Sequence, residues 1–160
     1  MQKDEADKIW PLIKSAKFAM LVTEDGGDLR GRPMAASQEG FDGKLWFFTR
    51  ASSHKVSEVN ADNRVCVTYA ATGSQDYVSF SGTAKLVRDK SQIDKRWSEI
   101  LKAWFPNGKD DPDTALLEVT VQQAEYWDAP NSTVVQLYGH VKAALTGKTP
   151  EAGENRKVAV

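Results

Sequence analysis

Between Tyr77 and Val87 the chain alternates without a break. Val78, Phe80, Gly82, Ala84 and Leu86 fall on one side; Ser79, Ser81, Thr83 and Lys85 fall on the other. A period of two over this length marks a β-strand with one face on a core and the other facing water. The pattern returns in Val65, Val67 and Tyr69 against Cys66 and Thr68. It returns again in Leu117, Val119 and Val121 against Glu118, Thr120 and Gln122, in a last long strand that reaches Trp127. Upstream, Phe18 to Thr23 is a compact apolar run, and Glu24-Asp25-Gly26-Gly27-Asp28 is a turn. A second strand runs from about Leu29 to Gln38, Gly40-Phe41-Asp42-Gly43 makes another hairpin, and Lys44 to Thr49 is an aromatic-rich third strand. Hairpins outnumber strand–helix alternations, so a doubly wound parallel sheet is excluded. Six strands closing on themselves predict a mainly β (α+β) fold, a small antiparallel barrel with flanking helices.

Four helices are expected around it. Residues 4–16 carry Ile9, Leu12 and Ile13 on one side, with Pro11 calling for a start near Trp10 or a kink there. A short helix capped by Ser52 or Ser53 runs to about Asn60 and buries Val56 and Val59. Ser91 caps a longer one whose Ile93, Trp97, Ile100, Leu101 and Trp104 are spaced as one helical face. A last helix follows Asn131 or Ser132, with Val134, Leu137, Tyr138, Val141 and Leu145 inward. The Gly-, Pro- and charge-rich stretch after Thr146 predicts a mobile tail, so residues 1–146 form the domain and 147–160 the tail. At 160 residues and 41% hydrophobic content, one core is expected.

The most chemically loaded segment is Thr49-Arg50-Ala51-Ser52-Ser53-His54-Lys55, at the predicted start of the second helix. A helix start presents unpaired N–H groups and the positive end of the helix dipole. Ser52, Ser53, His54 and Lys55 add hydroxyls and cations, which makes a phosphate cradle. Competing chemistries find little support. One cysteine, Cys66, permits no intrachain disulfide and no zinc cluster. His140 has no metal-ligand companion, and Asp110-Asp111-Pro112-Asp113 lacks the glycine and closing glutamate of an EF-hand loop. A net charge of -1 gives no reason to expect nucleic acid or an acidic membrane. The N-terminal residues lack the apolar stretch of a secretory signal, so a cytoplasmic protein is expected.

The ordered set Gly31-Arg32-Pro33-Met34, Leu45-Trp46-Phe47-Phe48-Thr49, Ser53-His54-Lys55, Phe80-Ser81-Gly82-Thr83-Ala84 and Glu125-Tyr126-Trp127-Asp128-Ala129-Pro130 resembles the flavin-binding split-barrel proteins related to pyridoxamine 5′-phosphate oxidase. Within them it is most similar to the general stress protein 26 branch. The resemblance covers about residues 5–146. It implies a six-stranded split barrel that forms a homodimer, with FMN at the subunit interface. It sets Arg32 beside the flavin ring, with Pro33, Met34 and Ala35 meeting the isoalloxazine through their backbone. Phe48 and Thr49 end the next strand; His54 and Lys55 meet the phosphate; Trp127 comes from the other subunit.

The family pattern also has departures here. Ser37 stands where true pyridoxamine-phosphate oxidases have a substrate-gripping lysine, and their later Arg/Ser group and Arg-x-His stretch have no counterpart around Asp89–Lys95 or Asp128–Thr133. The expectation is therefore an FMN-dependent oxidoreductase of unstated substrate, with no side chain assigned as acid or base. The alternative is a stress or storage protein that binds FMN without turnover. A split barrel for haem or the deazaflavin F420 ranks below both, since the long anionic tail of F420 calls for a more basic groove than this chain offers.

Overall fold

A computed structural model describes residues 3–128 and 154–159. In chain order the elements are α1 (Lys3–Ala16), β1 (Phe18–Asp25), β2 (Asp28–Ala35), β3 (Lys44–Arg50), α2 (His54–Ala61), β4 (Arg64–Ala71), β5 (Asp76–Val87), α3 (Lys90–Arg96), a 3-10 turn (Glu99–Ala103), β6 (Thr114–Asp128) and β7 (Glu154–Ala159). The strands lie in the order β2-β1-β4-β5-β6-β3, every neighbouring pair antiparallel. The strip curls until its ends meet: Ala36 bridges Phe47, and the Ser37 N–H donates to the Trp46 carbonyl at 2.9 Å. This is the antiparallel half-barrel that the alternating strands predict. β2 sits at the end of the strip, where Pro33 is tolerated because an outer strand need not donate from every N–H.

The inward residues of each strand fill the barrel. Leu21, Leu45, Phe47, Val67, Phe80 and Val119 are fully buried there, and Ile9 and Ile13 of α1 join the same cluster. α1 continues through Pro11, which lies on its exposed side, where water can satisfy the carbonyl that the ring leaves unbonded. β3 is covered on both faces, which accounts for its aromatic run. Leu45 and Phe47 enter the barrel, whereas Trp46 and Phe48 pack with Ile93 and Leu116 in a second cluster.

That second cluster breaks the predicted long helix. α3 ends at Arg96, and Trp97 takes extended backbone (φ -68, ψ 137). The break lets Trp97 reach Phe48 edge-on, ring centroids 5.5 Å apart, and brings Phe105 within 6.5 Å of Trp97. One continuous helix would not serve both contacts. Ile100 and Trp104 are exposed as a result, so the one-face spacing misleads here. Asp89 rather than Ser91 caps α3, its carboxylate accepting from the Gln92 N–H at 2.9 Å.

β5 and β6 change register between Ser81 and Gly82. Ser81 faces Gln123 but Gly82 faces Val121, so Gln122 is an extra residue in β6. Glycine is required at 82: a Cβ there would lie 2.1 Å from the Thr120 carbonyl oxygen. β7 is a further correction. Glu154–Ala159, assigned by sequence to the mobile tail, pair antiparallel with Gln123–Asp128. The expected helix after Asn131 lies outside the described residues. Among the described residues, no helix is long and apolar enough to cross a membrane.

Candidate functional site

Three elements meet at one end of the barrel. β2 points Arg30, Arg32 and Met34 to the inner side, since Arg32 is opposite Leu21 and Met34 opposite Ala19, both inward residues of β1. β3 ends at Thr49 and Arg50, and the chain turns directly into α2. Ser53 is the N-cap residue of α2, yet its side chain does not cap the helix. Its hydroxyl lies 3.2 Å from the Thr49 hydroxyl, and both accept from the Lys55 ammonium at 3.3 Å. Lys55 is thus folded back over the helix start and half-buried. Burial, then repulsion from Arg32, hold its ammonium below the ordinary lysine value; Glu58 opposes them only in part.

Arg32 is fixed from behind. One guanidinium nitrogen donates to the Glu58 carboxylate at 2.7 Å, and another donates to the Thr23 hydroxyl, which itself donates to Glu58. Glu58, only 4% exposed, also takes Arg30 at 3.2 Å and stands 3.4 Å from the His54 ring. Asp25 completes the network, pairing with Arg30 at 2.8 Å and with His54 at 3.2 Å. Hydrogen bonds from Arg30 and then His54 hold the Asp25 carboxyl below its usual range. Asp25, His54 and Glu58 bring possible ligand atoms within 4.8 Å of one another. Both carboxylates already accept guanidinium protons, and a metal would sit beside two arginines, so the group forms an ion-pair network instead.

The structure therefore gathers Arg32, Thr49, Ser53 and Lys55 around one spot and directs their predicted neighbours elsewhere. His54 turns toward Asp25 and Glu58. Ser52 is a latch: its N–H and hydroxyl each donate to the Asp113 carboxylate at 2.8 Å, tying the start of α2 to the entry of β6. The Phe48 side chain belongs to the second cluster, so only its backbone faces the site side of β3. Met34 is buried in the barrel, while Pro33 and Ala35 lie on the outer face opposite Met20 and Phe18. Thr23, Arg30, Glu58 and Asp113 escaped the sequence reading. The one available signal was Glu58, placed four residues after His54 and beside the buried Val59.

Trp127 lies far along the sheet. It faces Tyr77 of β5, which faces Ala70 of β4, and so stands three strands from β1 and on the outer surface. There Phe18 (57% exposed), Met20 (44%), Tyr77 (43%) and Trp127 (37%) border a groove of about 420 Å³.

The chain is similar to known proteins. The sequence matches the family model described as pyridoxamine 5′-phosphate oxidase like over residues 4–151. General stress protein 26 of Bacillus subtilis is 30% identical over 85% of this chain and 97% of its own length. Protein bli-3 of Neurospora crassa is 28% identical over 91% of this chain and 75% of its own. Among solved structures, a general stress protein 26 from Jannaschia superposes with a TM-score of 0.80 at 28% identity, covering 99% of this chain and 100% of that one. The general stress FMN/FAD binding protein of Xanthomonas citri gives 0.71 at 30% identity, covering 82% and 92%. From the half-barrel, the ordered motifs and these matches, the chain belongs to the pyridoxamine 5′-phosphate oxidase-like family.

Proposed function

We propose that this protein binds FMN and acts as a flavin-dependent oxidoreductase, assembled as a homodimer. The observation that carries the reading is the unbalanced charge around Lys55. Two cations, Lys55 and Arg32, are close enough to repel, and the Glu58 carboxylate offsets this only in part. A phosphate dianion docked against Lys55, Ser53 and Thr49 would remove the repulsion and accept hydrogen bonds from all three. The helix start beside them adds its dipole. The residues present thus fit a singly phosphorylated cofactor, and the similarity to a protein named for FMN/FAD binding supports flavin.

Bound FMN supplies the electron or hydride transfer. The chain's residues hold and tune it. Lys55, Ser53 and Thr49 take the phosphate. Arg32 offers a fixed positive charge to the ring side, with the backbone of Pro33, Met34 and Ala35 along the same strand and that of Phe48 across from it. The apolar outer face suits a second copy of the chain, which would cover Phe18 and Met20 and bring its own Trp127 to its partner's cofactor. Ser37, standing where true oxidases of vitamin B6 have lysine, argues against that substrate. It also keeps alive a second reading, an FMN carrier without turnover.

Titration of the purified protein with FMN, followed by quenching of flavin fluorescence, tests the binding. Anaerobic mixing with NADH or NADPH then tests turnover. Failure to bind FMN refutes the proposal; binding without reduction by any physiological donor favours the carrier.

A further inference from the structure

Among the described residues, Glu58 is one of the most deeply buried charges: a carboxylate almost out of contact with water, on a short helix whose other inward residues are Val56 and Val59. Leaving it there without partners would be strongly unfavourable. Its partners come from two other elements: Thr23 from β1, and Arg30 and Arg32 from β2. His54 of its own helix adds a fourth. Ordinary stabilisation does not require this arrangement, since a leucine would fill the space beside Val59 with no ion to desolvate. Its specific effect falls on Arg32. The two nitrogens of that guanidinium used by Glu58 and Thr23 fix the plane of the group, and the side chain stays at the cradle although it is only half-buried.

We propose that Glu58 is a positioning residue for the cofactor site: directly and through Thr23 it locks Arg32 in place beside the Lys55 cradle. This rests on the FMN reading above. Two charged groups act on Lys55. Arg32 of β2 discourages its proton. Glu58 of α2 favours it. Next to Glu58, and balanced against Asp25 of β1, are Arg30 and His54. Removing the Glu58 charge therefore has two separable effects. Arg32 loses its anchor, and Lys55 gives up its proton at lower pH.

The test compares wild type, Glu58→Gln and Thr23→Val in FMN titrations across neutral to alkaline pH. Riboflavin, which lacks the phosphate, serves as control. Glu58→Gln is expected to weaken FMN at least tenfold at neutral pH and to move the alkaline loss of binding to lower pH. Thr23→Val removes only the hydroxyl between Arg32 and Glu58. It should weaken FMN and riboflavin alike, severalfold, without moving the alkaline limb. A merely structural glutamate would lower the melting temperature but leave FMN affinity and that limb where they are. An FMN affinity within twofold of wild type in Glu58→Gln overturns the proposal. Should Glu58→Gln fail to fold, Glu58→Asp decides, since its shorter carboxylate draws back from Arg32, and an FMN affinity within twofold of wild type overturns the proposal. Wild type that binds no FMN defeats the cofactor reading itself; wild type that binds, with unaffected variants, defeats only the role of Glu58.

Discussion

Replacing Lys55 by methionine should move binding and stability in opposite directions. The variant keeps the aliphatic stem and removes the ammonium. In the free protein that ammonium is partly desolvated and faces Arg32, which together hold it below the ordinary lysine value of 10.5. The sign follows from proton linkage. The unfolded chain binds the proton more tightly, so the charge opposes folding below the folded-state value. That opposition fades as pH rises from there to 10.5. The hydroxyls left behind are not stranded, because those of Thr49 and Ser53 lie 3.2 Å apart and can bond each other. The free Lys55→Met protein should therefore melt no lower than wild type at neutral pH, and any advantage should close in alkali. Binding behaves otherwise. A charge-assisted hydrogen bond to phosphate contributes about 1.5–3 kcal/mol, which is about 10- to 150-fold in FMN affinity. Riboflavin affinity should hardly change. Thermal melts across pH and paired FMN and riboflavin titrations supply the data. A variant that melts well below wild type while binding FMN equally well would refute the reasoning, since Lys55 would then be a structural cation.

Three further outcomes are expected. Gly82→Ala should cost about 3 kcal/mol, because the clash is with a β6 backbone oxygen that cannot turn aside; a melting temperature within a degree of wild type would contradict the bulge geometry. Met20→Glu, on the exposed apolar face, should shift sedimentation from dimer to monomer and weaken FMN with it, whereas an undisturbed dimer would place the interface elsewhere. Asp62 should titrate at about 2, held down by the Arg64 guanidinium, so its contribution to stability is complete above 3.8 and lost as pH falls through about 2; a carboxyl carbon NMR midpoint near 4 would disprove the pairing.

β4 and β5 were legible because each has one dry face, and burial writes itself into the sequence as alternation. Val65, Val67 and Tyr69, and Val78 to Leu86, needed nothing beyond their own residues to be placed. The segment from Ile93 to Trp104 misled because its apolar spacing reflects two separate contacts, Trp97 and Phe105 on Phe48, with Ile100 left in water. β7 was illegible for another reason: Glu154–Ala159 join the sheet through backbone pairing, which leaves little trace in side-chain type. In the site, Lys55 stood out as a cation at a helix start and Arg32 through its family motif. Glu58 was missed because a buried carboxylate makes sense only beside partners 26 to 35 positions away in the chain.

The extra residue at Gln122 decides which aromatic the outside world meets. Before it, odd-numbered positions of β6 fill the barrel: Leu117, Val119 and Val121. After it the parity reverses, and Ala124 and Tyr126 turn inward. Were Gln122 paired in regular register, the indole of Trp127 would lie among the core side chains and the phenol of Tyr126 would take its place on the surface. A single-residue deletion at 122 would remove the bulge and bring Gln123 directly after Val121, so both rings should keep their faces and tryptophan emission should stay where it is. The bulge at Gln122 thus keeps each ring on its own face of the sheet.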